Sequence, residues 1–195
     1  VRPRRAGSEV LSMMKDLTTG SPMRLILGFG LPTLLGLLFQ QFYNLMDTMI
    51  VGKLLGAQAL AAVGSTNSIS FFVIGFCTGV CSGFAIPVAQ RMGAGDFSHM
   101  RRFVANAAYL ALGFSVVLTV LTGIFCDAIL TVMNTPADIY ADAYAYIFII
   151  FMGIPTTFLY NLLAGIIRSL GDSRTPVYFL ALSSLLNIGL DFALI

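Results

Sequence analysis

Long, nearly uncharged apolar segments follow one another along most of this 195-residue chain, separated by short polar stretches. A transmembrane helix requires about 20 mostly apolar residues, and five segments meet that requirement. They cover residues of about 25–51, 60–87, 103–125, 144–167 and 177–195. The pattern predicts an all-α integral membrane protein. We expect a helical bundle of five transmembrane spans over residues 25–195, with the fifth truncated. A polar N-terminal tail over residues 1–24 precedes the bundle.

Composition supports a membrane protein. The chain is 57% apolar and only 10% charged, whereas a soluble domain carries roughly 25% charged residues. The net charge of +2 does not indicate a nucleic-acid partner, because the basic residues flank the predicted spans. No Ser-His-Asp set or cluster of metal ligands appears in the sequence, so we do not expect an enzyme. The expected partners are the lipid bilayer and small substrates.

The loop charges predict the orientation. Lysine and arginine are concentrated in cytoplasmic loops of membrane proteins. Here they fall before the first span, between spans two and three, and between spans four and five: Arg2, Arg4, Arg5, Lys15 and Arg24, then Arg91, Arg101 and Arg102, then Arg168 and Arg174. The other loops hold only Lys53. We therefore expect a multi-pass protein of the plasma membrane with a cytoplasmic N-terminus.

Two acidic residues occur inside apolar segments. Asp47 lies near the end of the first predicted span, and Asp191 lies within the fifth. A carboxylate at membrane depth costs several kcal/mol or takes up a proton, so it usually has a functional role. An asparagine precedes each acid at helical spacing, Asn44 before Asp47 and Asn187 before Asp191. This pattern predicts binding of an ion or a proton inside the membrane.

Each acid continues a polar stripe along one helix face. At 100° per residue, three polar side chains in each of these spans share a face. They are Gln40, Asn44 and Asp47 in the first span, and Ser184, Asn187 and Asp191 in the fifth. Both stripes should face a bundle interior or a water-filled cavity. The alternative is structural hydrogen bonding between helices, worth about 1 kcal/mol, and for Gln40 and Asn44 both interpretations remain open.

Two further patterns lie in the second and fourth spans. Gly75, Gly79 and Gly83 recur at every fourth position, which predicts close packing of another helix. In span four, Thr156, Tyr160 and Asn161 follow Pro155, a residue that favours a bend and frees a backbone carbonyl for a ligand or water. We therefore include Tyr160 and Asn161 among the candidate site residues.

Several stretches, in this order, resemble the MATE (multidrug and toxic compound extrusion) family. They are Asn44-Leu-Met-Asp-Thr-Met-Ile-Val-Gly-Lys-Leu-Leu-Gly, Ala57-Gln-Ala-Leu-Ala-Ala-Val-Gly64, Ala89-Gln-Arg-Met-Gly-Ala-Gly-Asp96, Gly165-Ile-Ile-Arg-Ser-Leu-Gly-Asp-Ser-Arg-Thr-Pro176 and Asn187-Ile-Gly-Leu-Asp191. No single stretch is decisive, but together they are specific, and they cover nearly everything from about Thr19 onward.

The resemblance implies a twelve-helix transporter of two six-helix lobes, of which this chain is most of the first; the second lobe is absent. Family members exchange organic cations, often drugs, for H⁺ or Na⁺ by alternating access. Their first-lobe cation site uses an acid of helix one with an asparagine and an acid of helix five, which match Asp47, Asn187 and Asp191. A polar residue of helix four, here Asn161, contributes in some members. The resemblance thus implies H⁺ or Na⁺ at this site and no other cofactor.

Other interpretations remain at this point. A lipid-linked oligosaccharide flippase of the same superfamily would have related helices, but its cavity should be strongly basic to hold a pyrophosphate. The acidic intramembrane charges favour small cationic or amphipathic substrates instead. Because the chain starts with Val1 and stops inside a span, we expect the front portion of a longer protein. Its missing C-terminal lobe would be a partner, and a non-functional truncation product is the remaining alternative.

Overall fold

The computed structural model describes the chain from Ser21 to Leu194, with side chains as far as Leu190. Every regular element in this range is a helix. The helices are α1 (Pro22–Leu54), α2 (Gly56–Gly93), α3 (Phe97–Ile124), α4 (Cys126–Val132), α5 (Tyr140–Met152), α6 (Ile154–Ser169) and α7 (Thr175–Leu194). The expected all-α membrane fold is confirmed.

Polar side chains and glycines set the helix ends. Pro22 occupies the first turn of α1, where its missing N–H costs no hydrogen bond. Gly56, the first residue of α2, and Gly95, between α2 and α3, have positive φ angles of 87° and 70°, a conformation that favours glycine. Asp96 then accepts a hydrogen bond from the backbone N–H of His99 and caps α3. These short connections make α1–α3 consecutive neighbours.

The core forms around α2, which packs against α3, α5 and α6. Its buried side chains include Cys77 and Cys81 of α2, and Phe151 and Phe158 of the α5–α6 segment. Helices associate in a membrane through close packing of small residues and interhelical hydrogen bonds rather than through a hydrophobic driving force. The contact between α2 and α6 has both features.

Small residues bring α2 and α6 together. A Cβ atom added to Gly165 of α6 would lie 3.3 Å from the Cβ atom of Ala85, so only glycine leaves this distance unstrained. One turn later, the Ser169 hydroxyl donates to the Ala85 carbonyl over 2.9 Å. Towards the middle of the helices, the Cys81 thiol donates to the Phe158 carbonyl at 3.6 Å. The end of α6 therefore lies beside the last turns of α2. We call this side of the bundle, which carries Arg91 and Arg168, the basic end.

The first and last helices form a second pair. The main neighbour of α1 is α7, and only Gly36 and Ile50 of α1 are buried. Gly36 allows the pair to approach closely, because a Cβ atom there would lie 2.9 Å from Cγ2 of Val177. The α1–α7 pair makes few contacts with the core, and a space remains between this pair and the core helices.

Three helices, α1, α2 and α3, are long and apolar enough to cross a membrane on their own. The fourth predicted span is not one straight helix: it divides into α5 and α6, which meet at a 44° bend. The break falls at Gly153, and α6 begins with Pro155 in its first turn, so the expected bend near this proline is observed. The described apolar part of α7, Thr175–Leu190, is shorter than a full span. A count of five spans thus stays a prediction.

The glycine pattern of α2 does not pack as expected. A Cβ atom added to Gly75, Gly79 or Gly83 would meet nothing within 4 Å. No helix of the described chain therefore lies against this face, and the expectation of close packing there is wrong for these residues. The close approaches between helices occur at Gly36, Gly52, Gly123 and Gly165 instead.

Replacing Gly36 with leucine should separate α1 from α7 and lower the free energy of unfolding by about 1–3 kcal/mol, because Val177 is β-branched and cannot move aside cheaply. Gly30→Leu is the matched control, since a Cβ atom at Gly30 of the same helix meets nothing within 4 Å. Thermal unfolding followed by circular dichroism in detergent measures both variants. Equal loss in both would contradict the packing role of Gly36.

Candidate functional site

A pocket of about 680 Å³, lined by both polar and apolar side chains, lies between the α1–α7 pair and the core helices α2 and α6. Its walls combine hydroxyl, carboxamide and apolar side chains, and among the described lining residues Arg168 is the one with a charged side chain. A pocket of this volume is within the range that accepts a drug-sized molecule.

The wall formed by α1 is a continuous helical stripe. Thr33, Gly36, Gln40 and Asn44 line the pocket at spacings of three or four residues. The Asn44 amide donates to the side-chain oxygen of Gln41 at 3.3 Å. Two of the residues that the sequence predicted to face a cavity, Gln40 and Asn44, thus do so.

The opposite wall comes from α6. Tyr160 and Asn161 line the pocket, together with Thr156 and Thr157. The Asn161 amide donates to the Thr157 carbonyl at 2.9 Å, which orients its side chain along the helix. Both helix-four candidates are therefore in the same pocket as Gln40 and Asn44.

Asp47 lies outside the pocket lining. It is partly exposed, and its carboxylate acts electrostatically on the hydroxyl of Tyr146 in α5. The stripe that the sequence predicted on the first span therefore divides. Its first two residues line the pocket, and its acid does not.

The stripe on α7 is described only in part. Ser184 is buried, and its hydroxyl donates to the Leu180 carbonyl at 2.9 Å, within its own helix. The Asn187 side-chain oxygen is buried and accepts no hydrogen bond from any described residue. The side chain of Asp191, one turn later, lies outside the described residues. Neither Ser184 nor Asn187 lines the pocket, where the neighbouring Ser183 takes a place instead.

The expected metal site cannot be assembled from the described side chains alone. Within them, no group of three His, Cys, Asp or Glu residues could hold a metal ion. Sodium at Asp47, Asn187 and Asp191 therefore stays a proposal. The donors there, carboxylate and carboxamide oxygens, are chemically suited to a hard cation.

Arg168 is the pocket residue that the sequence reasoning missed as a site residue. The sequence assigns Arg168 only to the charged loops that determine the orientation in the membrane, because it lies at the end of a span. The signal was present, however. Arg168 follows Asn161 by seven residues, which is about two helical turns, so the two share a face of α6. Likewise, extending the α1 stripe backwards from Gln40 would have reached Gly36 and Thr33.

The loop after α6 fixes the pocket wall at the basic end. Asp172 accepts hydrogen bonds from the backbone N–H groups of Arg174 at 2.9 Å and Thr175 at 3.0 Å, and so caps α7. Partial burial raises the pKa of Asp172, but the hydrogen bonds from Thr175 and Arg174 outweigh it, and the pKa lies below its usual value. The cap holds Ser173, a buried pocket residue, in position.

Long apolar helices and a pocket with hydroxyl and carboxamide side chains between them are typical of multi-pass membrane transporters. The chain belongs to the MATE family: the family model MatE matches residues 32–193. The resemblance noted in the sequence is thereby confirmed.

Individual relatives agree with this membership. The chain is 35% identical over 162 residues to the probable multidrug resistance protein YoeA of Bacillus subtilis (strain 168), covering 83% of the chain and 35% of YoeA. It is 30% identical over 172 residues to the probable multidrug resistance protein YpnP of the same organism, covering 88% of the chain and 39% of YpnP. The chain thus spans less than half the length of these relatives.

A solved structure shows the same fold. A MOP superfamily transporter from Pyrococcus furiosus, for which reverse polarity of the binding pocket is said to suggest a different function, matches with a TM-score of 0.84 at 28% identity. The match covers 90% of this chain and 39% of that transporter. The chain therefore corresponds to one lobe of the fold.

Replacing Asp172 with alanine should remove the α7 cap and lower the free energy of unfolding by about 1 kcal/mol at pH 7. Because the folded-state pKa is depressed, the carboxylate stabilises the protein above its unfolded-state pKa, near 3.8, and this contribution is lost as the pH falls through the folded-state value. The difference between the two proteins should narrow below about pH 4. Thermal unfolding from pH 3 to 7 tests this, with the exposed Asp142→Ala as control. A stability difference between the two proteins that does not change with pH would contradict a stabilising role for the charged Asp172 carboxylate.

Proposed function

We propose that the protein carrying this chain is a secondary active antiporter. It exports organic cations and other amphipathic drugs in exchange for H⁺ or Na⁺ by alternating access, in the plasma membrane with its N-terminus in the cytoplasm. Membership of the MATE family supports the proposal, as do the names of the two Bacillus subtilis relatives, both probable multidrug resistance proteins.

The buried oxygen of Asn187 is the observation that carries the proposal. A buried acceptor without a donor costs about 1–3 kcal/mol, so such atoms are rare and usually have a functional explanation. No described residue donates to this oxygen. A bound cation, or the proton of a neutral carboxylic acid, would satisfy it. Asp191 follows by four residues, about one helical turn, and is the natural carboxyl partner.

The arrangement of the helices supports a coupling mechanism. Asn187 and Asp191 lie on α7, and Asp47 lies on α1, so the proposed coupling residues belong to the helix pair that contacts the core least. Neutralising a carboxylate by H⁺ or Na⁺ removes its desolvation cost and changes which packing of this pair is favoured. A ligand with different affinities for two packings shifts the equilibrium between them, as alternating access requires.

Gradient-driven uptake tests the proposal. Inverted membrane vesicles containing the product of the complete gene should accumulate the fluorescent cation ethidium when H⁺ or Na⁺ is more concentrated inside. Asp191→Asn should reduce this uptake at least tenfold, and Asp47→Asn should reduce it as well. The reason is that an amide cannot bind and release a proton and has no negative charge to hold a cation. Asp142→Asn, an exposed acid outside both stripes, is the control and should retain uptake. Full uptake by Asp191→Asn, at equal protein levels, would remove that residue from the coupling site.

Asn187→Leu separates a functional from a structural role. If the Asn187 oxygen served to join helices, its loss would destabilise the fold. Because the oxygen accepts no hydrogen bond from the described residues, we expect an unchanged or higher unfolding temperature together with loss of gradient-driven ethidium uptake. Thermal unfolding and the vesicle assay on the same preparation measure both quantities. Lower stability with normal uptake would contradict the proposal.

A further inference from the structure

The charge that lines the pocket is opposite to the charge expected of a site for cations alone. Arg168 is the only charged side chain among the described lining residues. Asp47 does not line the pocket, and the carboxylates of Asp127, Asp138 and Asp142 lie in or beside the loops at the opposite end. At the basic end, Asp96 pairs with Arg91 and His99, and Asp172 accepts the backbone hydrogen bonds at the start of α7; neither lines the pocket. Arg168 forms no ion pair with any described residue. A guanidinium that faces a cavity in this way has unused hydrogen-bonding capacity.

The backbone directs this side chain into the pocket. Arg168 lies in the last turn of α6, and helical side chains tilt towards the N-terminus of their helix. This tilt carries the side chain back along α6, on the side where Arg168 lines the pocket. In agreement with this direction, the charge of Arg168 acts on the hydroxyl of Tyr160, two turns earlier.

The rest of the pocket fits an amphipathic molecule with one anionic end. Leu37, Ile74 and Leu180 provide apolar surface, and the carboxamides of Gln40 and Asn161 add hydrogen-bonding groups to the same lining. Asn161 and Arg168 are seven residues apart on α6, which corresponds to roughly 10 Å along the helix axis. Because the Arg168 side chain extends back along α6, its guanidinium lies nearer to the amides than this spacing, and one small amphipathic molecule can contact both.

We infer that Arg168 is an oxyanion subsite of the substrate pocket, which binds the carboxylate, sulfonate or phosphate of an amphipathic organic molecule. The guanidinium presents planar paired N–H donors that match such groups bidentately. The inference rests on the proposed transport function and refines its substrate class. Transported molecules would include zwitterions and organic anions, in addition to cations that do not use this subsite.

A pair of dyes with the same ring system tests the inference. Fluorescein is anionic and rhodamine 123 is cationic, and both share a xanthene skeleton. Binding of each to the product of the complete gene, in nanodiscs of zwitterionic lipid, is followed by fluorescence anisotropy. Arg168→Gln should weaken fluorescein binding about tenfold or more and leave rhodamine 123 binding unchanged or tighter, because only the anion loses a charge-assisted contact. Arg168→Lys keeps the charge but loses the paired donors, so its affinity for fluorescein should lie between those of the parent protein and Arg168→Gln.

Two further variants complete the test. Arg174→Gln removes the same charge six residues away, from an exposed side chain outside the pocket lining, and should bind both dyes as the parent protein does. Thr33→Glu places a carboxylate in the α1 wall at the basic end. It should weaken fluorescein and favour rhodamine 123, even if Arg168→Gln fails to fold.

The outcomes separate this inference from the proposed antiport. Absence of fluorescein binding by the parent protein would overturn the subsite, as would equal weakening in Arg168→Gln and Arg174→Gln. Unchanged fluorescein affinity in Thr33→Glu or in a folded Arg168→Gln would also overturn it. None of these results depends on an ion gradient. Ethidium uptake coupled to H⁺ or Na⁺ can therefore succeed while the oxyanion subsite fails, and the reverse is equally observable.

Discussion

The close approach of α2 and α6 is the contact on which the rest of the bundle depends. Gly165 and Ala85 bring the two backbones together, and the Ser169 hydroxyl joins them across the interface. Lipid offers no hydrophobic gain for helix association, so such contacts, rather than burial of large side chains, hold the core. They also place the end of α6, and with it Arg168, beside the last turns of α2.

The pocket follows from the weaker attachment of the other helix pair. Gly36 lets α1 and α7 pack closely at one point, but this helix pair makes few contacts with the core helices. A tight core beside a loosely attached pair is an arrangement that can move as two bodies. The polar lining lies along the boundary between them, where a change in packing would alter both the shape of the pocket and the access to it.

Much of the fold was predictable because membrane helices leave strong sequence signals. The apolar runs located the helices, and the polar stripe correctly predicted that Gln40 and Asn44 face a cavity. The division of the fourth segment at Gly153 was anticipated only as a bend at Pro155, because a proline in the first turn of a new helix and a proline inside a kinked helix have the same local sequence. The spacing of Gly75, Gly79 and Gly83 could not predict that no described atom lies within 4 Å of a Cβ atom added there, because glycine spacing does not identify a partner helix.

The site was harder to predict than the fold, because a helix face shows which residues lie together but not which helix they oppose. Asp47 shares a stripe with Asn44 yet does not line the pocket, whereas Arg168, at the end of its helix, does. Asp47 and Arg168 thus lie at different levels of the bundle. A guanidinium closes the basic end of the pocket, and Asp47 lies towards the other end, on α1. A substrate held near Arg168 and a cation held near Asp47 would then occupy different places. Competition between them would arise from the packing of the α1–α7 pair rather than from a shared ligand group.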